Sequence, residues 1–132
     1  MSVLTDTNVI SELARPRPHP SVVRWVQTQR MLAVSVITVE EIHFGLTAKQ
    51  NARVQQWFER FFEDHCRVVD VSAQIARHAG ILRAQHSTRG RVRSQADMLI
   101  AATAAQHGLA VATRNTRDFD DCGVSVVNPF ES

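Results

Sequence analysis

The sequence predicts an α/β fold in a single domain spanning residues 1–132: a parallel sheet of four to five strands with helices on both faces. Three observations carry this. Short β-branched runs alternate with stretches of helical periodicity from one end of the chain to the other, which is the pattern of repeated strand-helix-strand units. The strand runs are apolar throughout instead of alternating apolar and polar, as expected when both sheet faces are covered. Finally, 132 residues suffice for one hydrophobic core and leave no room for a second domain.

Val3-Leu4-Thr5 reads as the first buried strand, ending on Asp6, which caps a helix carrying Val9, Ile10 and Leu13. Arg15-Pro16-Arg17-Pro18-His19-Pro20 must be a loop, because each proline removes a donor and pushes its predecessor toward extended geometry. Pro20-Ser21 opens a second helix with Val22, Val23, Trp25 and Val26 on its apolar side, ending near Gln29-Arg30. Met31 to Val36 is the second strand. Thr38-Val39-Glu40-Glu41 matches a capping box that would start the helix through Ile42, Phe44 and Leu46.

Asn51 to His65 is strongly amphipathic, and Trp57, Phe58, Phe61 and Phe62 supply half of the chain's aromatic residues. Core packing accounts for such a stripe, and a surface for a partner chain is the alternative. Arg67 to Val71 is a third strand, and Ser72 begins a helix with Ile75, Ala79 and Leu82 that fades around His86. The loop Ser87 to Arg93 carries Arg89, Arg91 and Arg93 and leads into Ser94-Gln95-Ala96-Asp97, a second start of capping-box type. Met98 to Ala105 is small and apolar enough for a helix buried nearly all round, ended by Gly108. Leu109 to Thr113 is the fourth strand, Arg114 to Phe119 a polar turn, and Val124 to Val127 a fifth, edge-like strand before Asn128-Pro129.

Composition narrows the function classes. Cys66 and Cys122 match no metal spacing and are too few for a disulfide framework, which favours a reducing cytoplasm. No basic leader precedes the first strand and no apolar run approaches the length of a membrane span, so neither a signal peptide nor a membrane segment is expected. A net charge of +2 is too small to argue by itself for nucleic acid; every basic residue except Lys49 is Arg, whose planar fork suits phosphate, and a GC-rich genome would produce the same bias with no functional meaning.

Position makes the acids informative. Asp6 follows the first strand, Glu41 the second, Asp97 opens the helix that feeds the fourth, and Asp118 follows the fourth, so all four can meet at the carboxyl edge of the sheet. Singly, each has a capping or turn explanation. Together they form a carboxylate cluster that raises its own pKa values unless a cation or proton is shared. Oxygen ligands without His or Cys point to Mg²⁺, or Mn²⁺, in preference to zinc.

These segments carry a resemblance. Leu4-Thr5-Asp6-Thr7-Asn8-Val9, Ser35-Val36-Ile37-Thr38-Val39-Glu40-Glu41-Ile42, Ala96-Asp97-Met98-Leu99-Ile100-Ala101-Ala102-Thr103-Ala104 and Thr113-Arg114-Asn115-Thr116-Arg117-Asp118-Phe119 resemble, in order, the four blocks of PIN domains, and within them the VapC-like toxins including FitB-like members. The resemblance implies a three-layer PIN-like sandwich and a metal-dependent endoribonuclease, the toxin half of a toxin-antitoxin pair. It implies that Asp6, Glu41 and Asp97 form an acidic triad, with Asp6 and Asp97 as direct Mg²⁺ ligands and Glu41 and Asp118 completing the catalytic acids. Asn115, Thr113 and Asn8 would be auxiliary contacts. Many relatives carry an acid where Asn115 stands, leaving open whether Asn115 or Asp118 completes the metal site. The expected partners are RNA, a VapB-like antitoxin and a second copy of the chain, giving a homodimer and a heterotetramer or larger complex with antitoxin. Arg89, Arg91 and Arg93 are candidate RNA contacts, with a solvated basic loop as the plain alternative. The rival function is a PIN-like module that binds RNA or protein without cutting. A nucleotide-binding regulator is disfavoured, since no Gly-rich phosphate loop follows the first strand.

Overall fold

A computed structural model describes residues 2–131. Five strands, β1 (Val3–Thr5), β2 (Leu32–Ser35), β3 (Cys66–Val69), β4 (Ala110–Ala112) and β5 (Val126–Val127), pair in the order β3-β2-β1-β4-β5. Every pairing is parallel, with Leu4 opposite Ala33 on one side and Val111 on the other. Among the described residues the six α-helices are α1 (Thr7–Leu13), α2 (Pro20–Gln27), α3 (Val36–Lys49), α4 (Ala52–His65), α5 (Ala73–Thr88) and α6 (Gln95–Gln106), and a 3₁₀ turn covers Thr116–Phe119.

Side-chain alternation along the strands divides the interior into two layers. Leu4, Ala33 and Val111 face α5 and α6, where they pack with Ile75, Leu82, Met98, Ile100 and Phe119. Leu32 and Val34 face the opposite way, onto Ile10 of α1, Ile42 and Leu46 of α3, and Phe58 and Phe61 of α4. The apolar helix α6 buries Met98, Ile100, Ala101, Ala102, Thr103 and Ala104, as its composition requires. The aromatic stripe of α4 divides: Phe58 and Phe61 enter the core, while Trp57 stays 38% exposed and stacks on Phe61 with ring centroids 4.9 Å apart. Among the described residues no helix is long and apolar enough to cross a membrane.

Several boundaries differ from the sequence expectation, and one matters for the site. β2 stops at Ser35, whose hydroxyl accepts from the Ile37 amide at 3.0 Å and starts α3 at Val36. Thr38 and Glu41 therefore form no capping box. Thr38 is the third residue of the helix and fully buried, and the Glu41 carboxylate is free to accept from elsewhere. β3 covers Cys66–Val69 instead of Arg67–Val71, because α4 runs directly into it. α2 stops at Gln27, β4 and β5 are shorter than their apolar runs, and α5 continues to Thr88, so the arginine-rich loop begins only at Arg89.

Candidate active site

The carboxyl ends of β1, β2 and β4 adjoin one another, and the side chains there interlock. Asp6 is the N-cap of α1: its backbone is extended (φ −73°, ψ 159°) and its Oδ1 accepts from the Thr7 amide at 2.8 Å. Its own amide donates to the Ala112 carbonyl at 2.8 Å, tying the end of β1 to β4. The second carboxylate oxygen, Oδ2, accepts from the Thr113 hydroxyl at 2.8 Å and from Asn8 Nδ2 at 3.2 Å.

Thr113 is the hub of this arrangement. It is fully buried, and its Oγ1 also accepts from Asn8 Nδ2 (3.2 Å) and the Asn115 amide (3.0 Å) while donating to Asp6. Asn8 Oδ1 accepts in turn from the Arg114 amide at 3.1 Å. Thr113 and Asn8 thus brace the acid and the β4 turn against each other, and the exposed Asn115 takes part through its backbone.

Glu41 reaches the same edge from α3, one turn beyond Ile37. Its Oε1 accepts from the Thr7 hydroxyl at 2.7 Å, and Thr7 Oγ1 lies 3.1 Å from Thr38 Oγ1. Thr7 and Thr38 were not singled out in the sequence as site residues. The available signal was a hydroxyl placed directly after the strand-end acid and another one helical turn before Glu41.

Asp97 stands in the first turn of α6, where the Ser94 hydroxyl accepts from its amide at 3.0 Å, so the expected cap at this helix forms. Asp118 belongs to the 3₁₀ turn and is held by a backbone bond from its amide to the Asn115 carbonyl at 3.1 Å.

Electrostatics links all four acids. Burial raises the Asp6 carboxyl above its ordinary value; the Thr113 and Thr7 hydrogen bonds counter this, and the Glu41 and Asp118 charges add to the rise. Asp97 is pushed up to about 6, first by burial and next by the Asp6 charge, with the Ser94 hydroxyl opposing and Asp118 and Glu41 reinforcing. Negative charge is concentrated here without a compensating cation from the chain: the two ion pairs among the described residues, Arg15–Glu12 and Arg91–Asp121, involve none of the four acids. As they stand, no three His, Cys, Asp or Glu side chains among the described residues converge on a single point suited to an ion. The donor set nevertheless fits a hard divalent cation. It is all oxygen, it carries uncompensated charge, and an ion drawing the carboxylates together would relieve the repulsion that raises Asp97.

Two of the loop arginines have partners within the chain. Arg91 Nη1 pairs with Asp121 at 2.6 Å, and Arg93 donates to the Arg117 carbonyl (2.7 Å) and the Asp120 carbonyl (3.4 Å). Both strap the segment around Asp118 to the lead-in of α6. Arg89, at the C-cap of α5, remains exposed.

Comparison with known proteins gives a consistent outcome. A family model for the PIN domain matches residues 3–124. The chain is 38% identical to a VapC ribonuclease, Y4jK, of Sinorhizobium fredii, with 98% of each chain covered. It is 35% identical to Toxin FitB of Neisseria gonorrhoeae, covering 97% of this chain and 98% of that one. Among solved structures, FitAcB from Neisseria gonorrhoeae superposes with a TM-score of 0.85 at 34% identity, covering 98% of this chain and 99% of that one. A DNA-bound VapBC from Salmonella typhimurium superposes with a TM-score of 0.84 at 25% identity over 98% of both chains.

Proposed function

The chain belongs to the PIN domain family, and we propose that it is a divalent-metal-dependent endoribonuclease, the toxin of a toxin-antitoxin pair. The observation that supports this reading is the location of four acids from separate elements within electrostatic reach of one another at one sheet edge, with Asp97 raised to about 6 by burial and by its acidic neighbours. A structural cap needs no such company. The relatives named VapC ribonuclease and Toxin FitB support the same reading.

In this mechanism Asp6 and Asp97 would hold Mg²⁺, or Mn²⁺, with Glu41 and Asp118 completing the charge. When bound, the cation supplies Lewis acidity to a phosphodiester and makes water easier to deprotonate. The chain's residues do the positioning. Thr113 and Asn8 fix the Asp6 carboxylate through neutral donors, so that it is oriented without being neutralised. Thr7 does the same for Glu41. Asp118, on the turn after β4, lies within electrostatic reach of Asp6 and Asp97 and would orient an attacking water or accept its proton. In the cytoplasm such a nuclease would be held inactive by a VapB-like antitoxin, with the toxin as a homodimer within a heterotetramer or larger assembly.

Asp97→Asn keeps the shape and the helix start but removes a charge. The expected outcome is a folded protein whose Mg²⁺-dependent cleavage of RNA falls at least a hundredfold, on the order seen when a group stabilising transition-state charge is lost. Wild-type cleavage by this variant, measured on labelled RNA in a Mg²⁺ series, would sink the carboxylate-site reading, whereas no cleavage by the wild-type protein itself would favour the non-catalytic module.

A further inference from the structure

A cluster of four acids repels the backbone of the RNA it is proposed to cut, so the chain needs a cation at the rim of the site. Arg91 and Arg93 are engaged with Asp121 and with the Arg117 and Asp120 carbonyls, so of the loop that the sequence nominated only Arg89, at the C-cap of α5, has its side chain unengaged among the described residues. Arg114 meets the requirement by position. It immediately follows Thr113, the buried partner of Asp6, and its amide donates to Asn8 Oδ1 at 3.1 Å while Asn8 Nδ2 contacts Asp6 Oδ2 at 3.2 Å.

The side chain of Arg114 is exposed and makes no ion pair or side-chain hydrogen bond among the described residues. It is nevertheless held. Its guanidinium carbon lies 4.7 Å from the centroid of the Phe130 ring, a cation–π contact, and the His19 ring packs against the same Phe130 in a T-shaped arrangement with centroids 5.6 Å apart. Phe130 is itself anchored, its amide donating to Asn128 Oδ1 at 3.0 Å. A planar fork with its donors free and its face fixed on an aromatic ring is preorganised for a phosphate.

We infer that Arg114, stacked on Phe130, is a phosphate-binding residue for the RNA substrate, seating the backbone beside the carboxylate site. This rests on the nuclease reading but fails separately from it. Binding without the catalytic cation isolates the contact: fluorescein-labelled bulk tRNA is titrated with protein in EDTA, by anisotropy, across a series of salt concentrations. Loss of one phosphate contact should lower the slope of log K against log salt by about 1. Arg114→Ala should show this, Phe130→Leu should weaken binding severalfold while retaining the charge, and Arg77→Ala, on the exposed side of α5, should leave the slope unchanged. Unchanged melting temperatures for Arg114→Ala and Phe130→Leu would accompany the expected result and exclude a folding artefact. An equal slope for Arg114→Ala and wild type overturns the inference while leaving the Asp97→Asn test intact, and equal loss for Arg77→Ala overturns it in favour of net charge alone. Wild-type protein that does not bind RNA overturns both this inference and the nuclease reading.

Discussion

Two halves of the carboxylate site are built by different means. Asp6 and Glu41 leave the strand and helix that carry them already gripped at the carboxylate: Asp6 by Thr7, Asn8 and Thr113, Glu41 by Thr7. Asp97 and Asp118 are held through their backbones, one by a Ser94 cap and the other by a 3₁₀ turn that Arg93 straps from outside. In the first half only neutral donors touch the acids. In the second, the nearby guanidinium groups go to main-chain carbonyls and to Asp121. Both arrangements fix geometry without placing an arginine on a catalytic acid, which would depress its pKa and compete with a cation for its oxygens. The difference is in stiffness: the first half turns on a buried Thr113–Asp6 hydrogen bond that cannot be broken without leaving a buried polar group unpaired, whereas the strapped turn is held from the surface.

The largest effect should follow from breaking the hub of the stiff half. Thr113→Val removes one of the two shortest donors to the buried Asp6 carboxylate and the acceptor used by Asn8 and the Asn115 amide. Because hydrogen bonds to charged groups are worth more than neutral ones and orphaned buried groups are costly, the expected loss is about 2–3 kcal/mol of unfolding free energy. Denaturant titration of wild type, Thr113→Val and Thr113→Ser checks this, with the serine variant recovering most of the loss. An equally large loss for Asp118→Ala would erase the proposed contrast between the halves.

A smaller effect is expected in the strapped half. Arg93→Ala removes two bonds to carbonyls but also an Nε that is buried without a partner, so the net cost should be about 1 kcal/mol. Its functional signature should exceed its stability cost. With the Asp118 turn released, half-maximal cleavage should require severalfold more Mg²⁺ while the rate at saturating Mg²⁺ stays close to wild type. A lowered rate that no Mg²⁺ concentration restores would mean that Arg93 does more than position the turn.

Strand-helix alternation and uniformly apolar strands were enough to anticipate the parallel three-layer fold, because both are local consequences of burying a sheet on two faces. The positions of Asp6, Glu41, Asp97 and Asp118 relative to strand ends were legible for the same reason. What holds them was not. The Thr38-x-x-Glu41 spacing fits a capping box, yet Ser35 starts the helix three residues earlier, and only the folded chain brings Thr7 to Glu41 across 34 positions. Likewise Arg91 and Arg93 look free in the sequence because their partners, at 117–121, lie about 25 to 30 residues further on. Arg114 was passed over as part of a polar turn, since its aromatic support at Phe130 is visible only in three dimensions.

The smallest effect concerns pH and reads out the charge that both halves share. In the folded chain Asp97 is raised from 3.8 to about 6, so the folded state holds a proton over a range where the unfolded chain has released it. Its contribution to stability is therefore present below about pH 4 and is lost as pH rises through about 6. The carboxyl is only partly buried, so solvent screening reduces the effect well below what the shift alone implies, to about 1 kcal/mol. Metal-free protein should accordingly be less stable at pH 7 than at pH 4.5 on this account, and Asp97→Asn should flatten the curve without abolishing the slope, because Asp6 is raised as well. Mg²⁺ should act in the opposite sense, stabilising the protein more at pH 7 than at pH 4.5, since it binds the ionised acids and competes with their protons. Thermal melts of the two proteins at both pH values, in EDTA and in Mg²⁺, test the pair of slopes. A wild-type curve in EDTA that is as flat as that of Asp97→Asn would mean that neither burial nor the neighbouring acids raise Asp97 in the folded chain, which removes the electrostatic link between the two halves.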